Sequence, residues 1–190
     1  MPENRNERLA SDYREMLKIQ DRPYLSWIAT KGELPYAEEY LLTVRLRIFV
    51  YVEKSCVRTV GAIRRCTIRV TLRGSYPAIA PHITMLDIPP VFHPDWYSKG
   101  TYCPPAPWRR ETSLKDYVLQ MLRSLRYETP PQESAAPANY KALDWYRKHR
   151  DNAALFPSDH TELTENSADE LIKAEQAARS FAEIVDSWTI

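Results

Sequence analysis

Strict alternation of apolar and polar residues predicts two neighbouring β-strands in the first half of the chain. Apolar side chains occupy every second position of residues 42–50, and the pattern returns over residues 66–72. A period of two places one face of a strand against a core and the other in water, as in antiparallel sheets. Shorter strands at 25–29 and 82–86 complete a predicted four-stranded antiparallel meander. An extended hairpin around 53–65, turning near Gly61, would join the two central strands.

Helical spacing predicts one helix before this sheet and two after it. An apolar stripe runs along residues 5–19, and another begins at Leu114 behind Ser113, a predicted N-cap with Asp116 three residues later. The following helix is predicted from Ala138 to about Arg150, after the Pro130-Pro131 break. The order of helix, strands and helices is typical of an α+β fold.

The last 34 residues, 157–190, differ from the predicted core over 1–156. Residues 157–166 are polar and open with Pro157, which indicates a linker. Ser167 and Glu170 then form a capping box that starts a final helix. Its apolar seam is narrow and consists of Leu171, Ala174, Ala178, Phe181, Val185 and Trp188. Docking on the chain's own core and binding of a partner both explain this seam.

Composition limits the class of protein. A hydrophobic content of 44% in 190 residues is enough for one core. The formal net charge of +1 provides no global field to attract nucleic acid or an anionic membrane. Three cysteines, no signal-like leader and no long apolar run predict a reduced cytoplasmic protein without a membrane span.

Residues 93–103 contain the strongest candidate for chemistry. His93-Pro94 restricts the backbone, Gly100 permits a left-handed turn, and Cys103 follows on an irregular segment where a nucleophile could be reached. The alternative is an inert loop thiol. Cys66 lies on the apolar face of a predicted strand and Cys56 near a predicted hairpin tip, so neither is a candidate. The cysteines and scattered histidines lack the paired spacing of a metal site.

This segment resembles the active-site region of ubiquitin-conjugating enzymes. That family has His-Pro-Asn, a short turn, Gly, two residues and the catalytic Cys, with the Cys eight residues after the Asn. Here 103 minus 95 is also eight. The resemblance covers roughly residues 5–150, and its further matches, in the correct order, are Tyr76-Pro77, Pro81, Ile83, Trp108, Pro137-Ala138-Asn139 and Ala142.

The resemblance implies a ubiquitin-conjugating fold and a transferase activity. By this likeness Cys103 accepts a ubiquitin-like protein as a thioester from an activating enzyme and passes it to a lysine amine of a protein target, with or without a ligase. ATP is used by the activating enzyme, so no cofactor is expected here. His93, Pro94, Gly100 and Trp108 are expected to support the active-site loop.

Several residues depart from the family pattern and indicate a divergent conjugation system, for which a prokaryotic system is one candidate. Asp95 replaces the Asn, and an ionised carboxylate cannot donate a hydrogen bond to an oxyanion. Asp95 stays a predicted catalytic-site residue, either protonated by burial or, as we favour, holding the loop. Pro104-Pro105 removes two backbone donors after Cys103. Asp95 and Glu111 are candidates to orient the attacking amine, and neither is assigned.

Two basic groups are candidate partner surfaces, although ordinary solvated faces explain both. On the wet face of the sheet the resemblance implies a weak contact with an acidic or ubiquitin-like partner at Arg45, Arg47, Arg69 and Arg73. On the first helix the resemblance places the activating enzyme at Arg5, Arg8, Arg14 and Lys18.

Two rival functions stay open. One is a non-catalytic module of the same fold that binds ubiquitin-like proteins, which Asp95 favours and Cys103 opposes. The other is a cysteine hydrolase that pairs Cys103 with His93, which the missing backbone donors after Cys103 oppose.

Overall fold

The computed structural model describes residues 4–50, 65–87, 91–131, 137–157 and 162–165. Three α-helices and four β-strands occur in this part of the chain, followed by a short 3₁₀ helix. In chain order they are α1 (Arg5–Leu17), β1 (Leu25–Lys31), β2 (Glu39–Val44), β3 (Cys66–Thr71), β4 (His82–Met85), α2 (Leu114–Leu125), α3 (Tyr140–His149) and the 3₁₀ helix Ala153–Leu155.

The four strands form one antiparallel sheet in the order β1-β2-β3-β4. Leu42 of β2 pairs with Trp27 of β1 on one side and with Ile68 of β3 on the other. Trp27, Leu42 and Ile68 are all buried, while their neighbours along each strand are more exposed. The predicted α+β class and antiparallel meander are therefore confirmed.

The second strand is shorter than the sequence pattern predicts. β2 ends at Val44, which pairs with Cys66, the first residue of β3. Leu46 and Ile48 are nevertheless buried, and Val50 forms an isolated bridge with Val91. The alternation over residues 42–50 therefore predicted the buried side correctly. The predicted strand from residue 45 onwards is wrong.

Helix α2 lies at the centre of the core. Its predicted start is confirmed, because the Ser113 side chain accepts a hydrogen bond from the Asp116 N–H and caps the helix. Val118, Met121 and Leu122 are fully buried in the same cluster as the inward side chains of the sheet. α2 and the sheet therefore share one hydrophobic core.

A buried ion pair joins α1 to the start of α2. The Arg8 guanidinium lies 2.7 Å from Asp12 Oδ2 and also donates to the carbonyl groups of Arg110 and Thr112. The other oxygen of Asp12 accepts the Leu114 N–H at 2.8 Å. One carboxylate thus balances a buried charge and satisfies a free backbone donor at the first turn of α2.

Residues 162–165 pack against the core. The Tyr24 hydroxyl donates to the carbonyl of Thr164 at 2.9 Å, and Lys115 lies 2.7 Å from Glu165. The predicted hairpin over 53–65, with Gly61 and Cys56, lies outside the described residues except for Arg65. The predicted final helix over 167–188 also lies outside them, so the proposed division between 1–156 and 157–190 stays a prediction.

Candidate active site around Cys103

A tight hairpin carries the segment that leads to Cys103. Trp96 and Tyr102 form an antiparallel bridge, and the Tyr97 N–H donates to the carbonyl of Thr101 at 2.9 Å. The Gly100 N–H returns to the carbonyl of Tyr97 at 2.8 Å, which closes the turn. Gly100 has a φ of 85°, a backbone conformation that glycine adopts without strain. The sequence pattern therefore produces a short, fully hydrogen-bonded turn.

The hairpin is fixed to the edge of the sheet by strand β4. The Met85 N–H donates to the Gly100 carbonyl at 2.8 Å, and the Tyr102 N–H donates to the Ile83 carbonyl at 3.0 Å. A Cβ added to Gly100 would lie 2.8 Å from the Met85 carbonyl oxygen. The turn therefore approaches β4 too closely for any residue with a side chain.

At the open end of this hairpin the backbone of Cys103 meets that of Asp95. The Cys103 N–H donates to the Asp95 carbonyl at 2.7 Å, while the Cys103 side chain is half-buried. Pro104 and Pro105 follow and have no N–H. The thiol is thus held on a fixed backbone, but neither its own N–H nor the next two residues offers a free backbone donor.

His93 is fully buried beneath the hairpin. Its Nδ1 accepts the Asp95 N–H at 3.0 Å, and its ring centroid lies 4.3 Å from that of Tyr127. Burial lowers the pKa of His93 to about 3, against an opposing interaction with the backbone of Ser124. A neutral imidazole with its acceptor nitrogen already occupied is suited to bracing the loop and unsuited to acting as a base for Cys103.

The Asp95 side chain is directed toward helix α2. Only 5% of Asp95 is exposed, and its Oδ2 accepts a hydrogen bond from the Ser124 hydroxyl at 2.9 Å. Asp95 Oδ2 is also 3.8 Å from His93 Nδ1. Side chain and carbonyl together link the loop to α2 and to Cys103, which is the geometry of a loop-holding residue.

Tyr97 is a residue at the site that the sequence interpretation did not select. It is 48% exposed, and it lies on the hairpin that leads to Cys103. The neighbouring Cys103 side chain raises the pKa of Tyr97, first as a hydrogen-bonding partner and then through its charge. The sequence signal for Tyr97 was alternation within the hairpin. Trp96 and Tyr102 are buried on one side, so alternation places Tyr97 on the other side.

Two further residues attach neighbouring segments to the site. The Trp108 indole N–H donates to the Pro77 carbonyl at 2.8 Å, and its ring meets Tyr117 of α2 edge to face at 5.0 Å. Asn139 caps α3 by accepting the Ala142 N–H, and its own N–H donates to the Pro94 carbonyl at 3.1 Å. Asn139 therefore attaches α3 directly to the Cys103 loop, whereas Trp108 contacts Pro77 and Tyr117 and the candidate Glu111 is exposed.

The basic residues predicted on α1 do not form one exposed surface. Arg8 is only 6% exposed and is committed to Asp12, so its assignment to a partner surface is wrong. Arg5 pairs with Glu38 at 2.9 Å and Lys18 with Glu15 at 2.5 Å. Arg14 is exposed. Helical spacing alone could not distinguish Arg8, because a buried carboxylate one turn away supplies its partner.

The arginines predicted on the sheet are all exposed but are not all strand residues. Arg69 belongs to β3 and pairs with Leu41 of β2, and its guanidinium lies 3.9 Å from Glu39. Arg45 directly follows β2 on the same face and donates to the Ser26 hydroxyl at 3.2 Å. Arg47 and Arg73 lie beyond the strand ends.

Within the described ranges, no three His, Cys, Asp or Glu side chains are grouped so that they could hold a metal ion. None of the helices described is both long and apolar enough to cross a membrane. Cys66 is buried on the core face of β3, as predicted, and burial raises the pKa of its thiol to about 12. Cys103 is thus more accessible than Cys66.

Solved structures with a similar arrangement include two ubiquitin-conjugating enzymes. Human ubiquitin-conjugating enzyme E2 G1 is 13% identical, with a TM-score of 0.45 over 62% of this chain and 91% of that one. A Plasmodium vivax ubiquitin conjugating enzyme E2 is 15% identical, with a TM-score of 0.47 over 62% of this chain and 98% of that one. No family model and no curated protein matches the sequence. Both TM-scores lie below 0.5, so these likenesses do not decide the function.

Proposed function

We propose that this protein is a ubiquitin-conjugating-type transferase with Cys103 as its acyl-carrying nucleophile. It would accept a ubiquitin-like protein from the thioester of an activating enzyme and transfer it to an amine of a target protein. The observation that carries the proposal is the Cys103 loop. A half-buried thiol ends a rigid hairpin, and His93, Pro94 and Gly100 match the family motif in order and spacing, with Asp95 at the position of its Asn.

The first step, exchange of the thioester onto Cys103, needs little catalytic assistance from the protein. The Cys103 sulfur attacks the thioester carbon, a new C–S bond forms, and the bond to the activating enzyme's sulfur breaks. The thiol proton passes to the departing thiolate, so one thioester replaces another at nearly equal energy. A strong general base beside Cys103 is therefore unnecessary, which agrees with a neutral, buried His93.

The second step makes greater demands on the site. The target amine attacks the Cys103 thioester, a C–N bond forms, and the C–S bond breaks to release the Cys103 thiolate. The proton lost by the amine passes, directly or through solvent, to the released thiolate, and negative charge develops on the carbonyl oxygen in between. Aminolysis of a thioester is energetically downhill, so the function of the loop would be to hold the acyl group in place while the amine approaches.

Partner recognition would use surfaces away from the thiol. The exposed Arg45 and Arg69 share one face of the sheet and suit a weak contact with an acidic or ubiquitin-like surface. On α1, the exposed Arg14 with the paired Arg5 and Lys18 suits the activating enzyme. Arg8 has no part in either surface.

The test is formation of a covalent adduct. The protein is incubated with ATP, a candidate activating enzyme and its ubiquitin-like protein, and intact mass is measured with and without a thiol reductant. We expect an adduct that the reductant removes, that is absent from Cys103→Ala and retained by the control Cys56→Ala. Cys103→Ser should give a reductant-resistant ester, because an oxygen ester does not exchange with thiols.

A non-catalytic binding module is the second candidate, and the orientation of Asp95 favours it. The Asp95 carboxylate accepts from Ser124, so the position that carries the family's amide donor offers no donor to an acyl group. If the ubiquitin-like protein binds, and the activating enzyme is itself charged, but no adduct forms on Cys103, the module is correct and the transferase is excluded.

A cysteine hydrolase that pairs Cys103 with His93 has little support. The His93 Nδ1 is occupied by the Asp95 N–H, and the ring is fully buried. Release of a leaving group from a C-terminal ester of the ubiquitin-like protein, by this protein alone, would support the hydrolase.

A further inference from the structure

A short segment at the end of the described chain, residues 162–165 (the strap), is bound to side chains from two separate parts of the fold. It has no regular secondary structure. The Leu163 side chain packs against the main core, the Thr164 backbone carbonyl accepts a hydrogen bond, and the Glu165 carboxylate lies 2.7 Å from the Lys115 ammonium. Three successive residues therefore make one apolar, one backbone and one ionic contact.

Three side chains receive the strap and are called here the strap site. Tyr24, directly before β1, donates its hydroxyl hydrogen to the Thr164 carbonyl at 2.9 Å. Arg22 donates to the Thr164 hydroxyl at 3.0 Å. Lys115, in the first turn of α2, donates to Glu165. The strap site therefore recognises both the backbone and the side chains of an extended segment.

Two members of the strap site are buried polar groups. Tyr24 is 0% exposed and Lys115 is 8% exposed. A buried hydroxyl requires an acceptor, and a buried ammonium requires carboxylates. Lys115 lies 3.2 Å from Glu15 of α1 and has Glu165 as a second carboxylate. The site is therefore suited to a ligand that brings a backbone carbonyl and a carboxylate together.

The strap itself remains at the surface. Glu162, Thr164 and Glu165 are exposed, and Leu163 is half-buried. An exposed segment held by a few side-chain contacts can be released while the core stays folded. Only four residues separate the strap from Pro157, which is buried. Because so short a tether gives a local concentration on the order of mM, a competing segment must match the strap closely to replace it.

We infer that Arg22, Tyr24 and Lys115 form a binding site for an extended peptide in which an apolar residue precedes a carboxylate by two positions. Leu163 and Glu165 supply this pattern in cis, and a partner protein that presents the same pattern binds by displacing the strap. The contact to a backbone carbonyl holds any extended chain, whereas the apolar and acidic positions provide selectivity. The inference is independent of the proposed function, because no residue of the candidate active site takes part.

The experiment uses the full chain and a fluorescent peptide with the sequence of residues 160–167. The double variant Leu163→Ser, Glu165→Ala removes the pattern in cis, and fluorescence anisotropy should show the peptide binding at least about 10-fold more tightly than to the unmodified chain. In this double variant, Tyr24→Phe should weaken binding roughly 10-fold, because it removes the donor and retains the ring. Tyr140→Phe changes a tyrosine of α3 that is 64% exposed and should leave binding unchanged.

The peptide provides a further control, and each result decides the inference. A peptide that carries Glu165→Lys should not bind, because its ammonium would repel Lys115. If the double variant binds the peptide no more tightly than the unmodified chain, or if Tyr24→Phe leaves that binding unchanged, the inference is wrong and the strap is only a structural brace. Should the double variant fail to fold, Glu165→Gln alone retains the Leu163 contact. It should still bind the peptide more tightly than the unmodified chain, and equal affinity would overturn the inference.

Discussion

Ser124 donates its hydroxyl hydrogen to Asp95 Oδ2 at 2.9 Å, in a part of the core that is closed to solvent. Ser124 belongs to α2, whereas Asp95 precedes the hairpin that ends at Cys103. This one hydrogen bond therefore connects the central helix to the candidate active-site loop. It also gives the buried Asp95 carboxylate a hydrogen-bond donor in the core.

Removal of the Ser124 hydroxyl should lower the free energy of unfolding and have little effect on thioester formation. Ser124→Ala leaves the buried Asp95 oxygen with one fewer donor, and the expected loss is about 1 to 3 kcal/mol in the free energy of unfolding. Urea denaturation measures it. Thioester formation by the folded fraction should change only a few-fold, since Ser124 does not contact Cys103.

Asp95→Asn is the matched variant for the same contact. The amide oxygen still accepts from Ser124 and the volume is unchanged, so we expect the folded loop and thioester formation to persist. Loss of thioester formation in Asp95→Asn, with the fold intact, would contradict the loop-holding role and assign a chemical role to the carboxylate.

The buried Arg8–Asp12 pair should be among the most sensitive positions in the chain. Asp12→Ala leaves the Arg8 charge without its carboxylate and the Leu114 N–H without its acceptor. The expected loss is about 3 to 5 kcal/mol, followed by chemical denaturation. A loss below about 1 kcal/mol would mean that water replaces the carboxylate, contrary to the burial of both residues.

An exposed ion pair supplies the control for Asp12→Ala. Lys31 lies 3.5 Å from Glu38, and its side chain is 67% exposed. Lys31→Ala should change the free energy of unfolding by less than about 0.5 kcal/mol. Each variant breaks one ion pair, so the difference between their losses in the free energy of unfolding measures the effect of burial.

Substitution of Gly100 should disturb both the fold and the site. An Ala side chain would meet the Met85 carbonyl at 2.8 Å and would occupy a φ of 85°. We expect Gly100→Ala to lose at least about 1 to 2 kcal/mol of stability and to slow discharge of the thioester, because Cys103 lies at the end of the same hairpin. Thermal unfolding and single-turnover kinetics measure the two effects.

Gly74→Ala is the matched substitution, because no atom lies within 4 Å of its added Cβ and its φ is outside the left-handed region. It should be neutral, or more stable by less than about 1 kcal/mol. An equal loss of stability in Gly100→Ala and Gly74→Ala would show that the close approach of Gly100 to β4 is unimportant.

The sequence was most informative where one local rule decided the outcome. Ser113 predicted the start of α2 because its side chain needs only a backbone N–H three residues away. Alternation around Leu42 predicted burial but not where β2 ends, since a ladder ends where its partner does and Val44 already meets the start of β3.

Long-range contacts could not be predicted in this way. Nothing in helical spacing shows that Arg8 turns inward, because its partners Arg110 and Thr112 are more than a hundred residues away. The motif around Cys103 identified the nucleophile candidate, but the hydrogen bond from the Cys103 N–H to the Asp95 carbonyl depends on the hairpin register. Ser124 likewise gained its role only through the packing of α2 against the loop.

His93 predicts a pH dependence of stability with a definite sign. Its folded pKa of about 3 lies below the usual value of 6.5, so the folded state excludes a proton that the unfolded state binds. Stability is therefore full above about pH 6.5 and declines as the pH falls toward 3. Between about pH 7.5 and about pH 5 this one group should remove about 2 kcal/mol, measured by urea denaturation at each pH.

The His93→Asn variant isolates this contribution, since the Asn oxygen can still accept the Asp95 N–H. Its stability should fall less than that of the unmodified chain over the same pH range, even if it starts from a lower value. A second measurement does not depend on the variant. The ring resonances of His93 in the native protein should not titrate between about pH 7.5 and about pH 5, because protonation would charge a fully buried ring. Titration of His93 near its usual pKa would show that the ring is accessible to water, and it would restore His93 as a candidate base for Cys103.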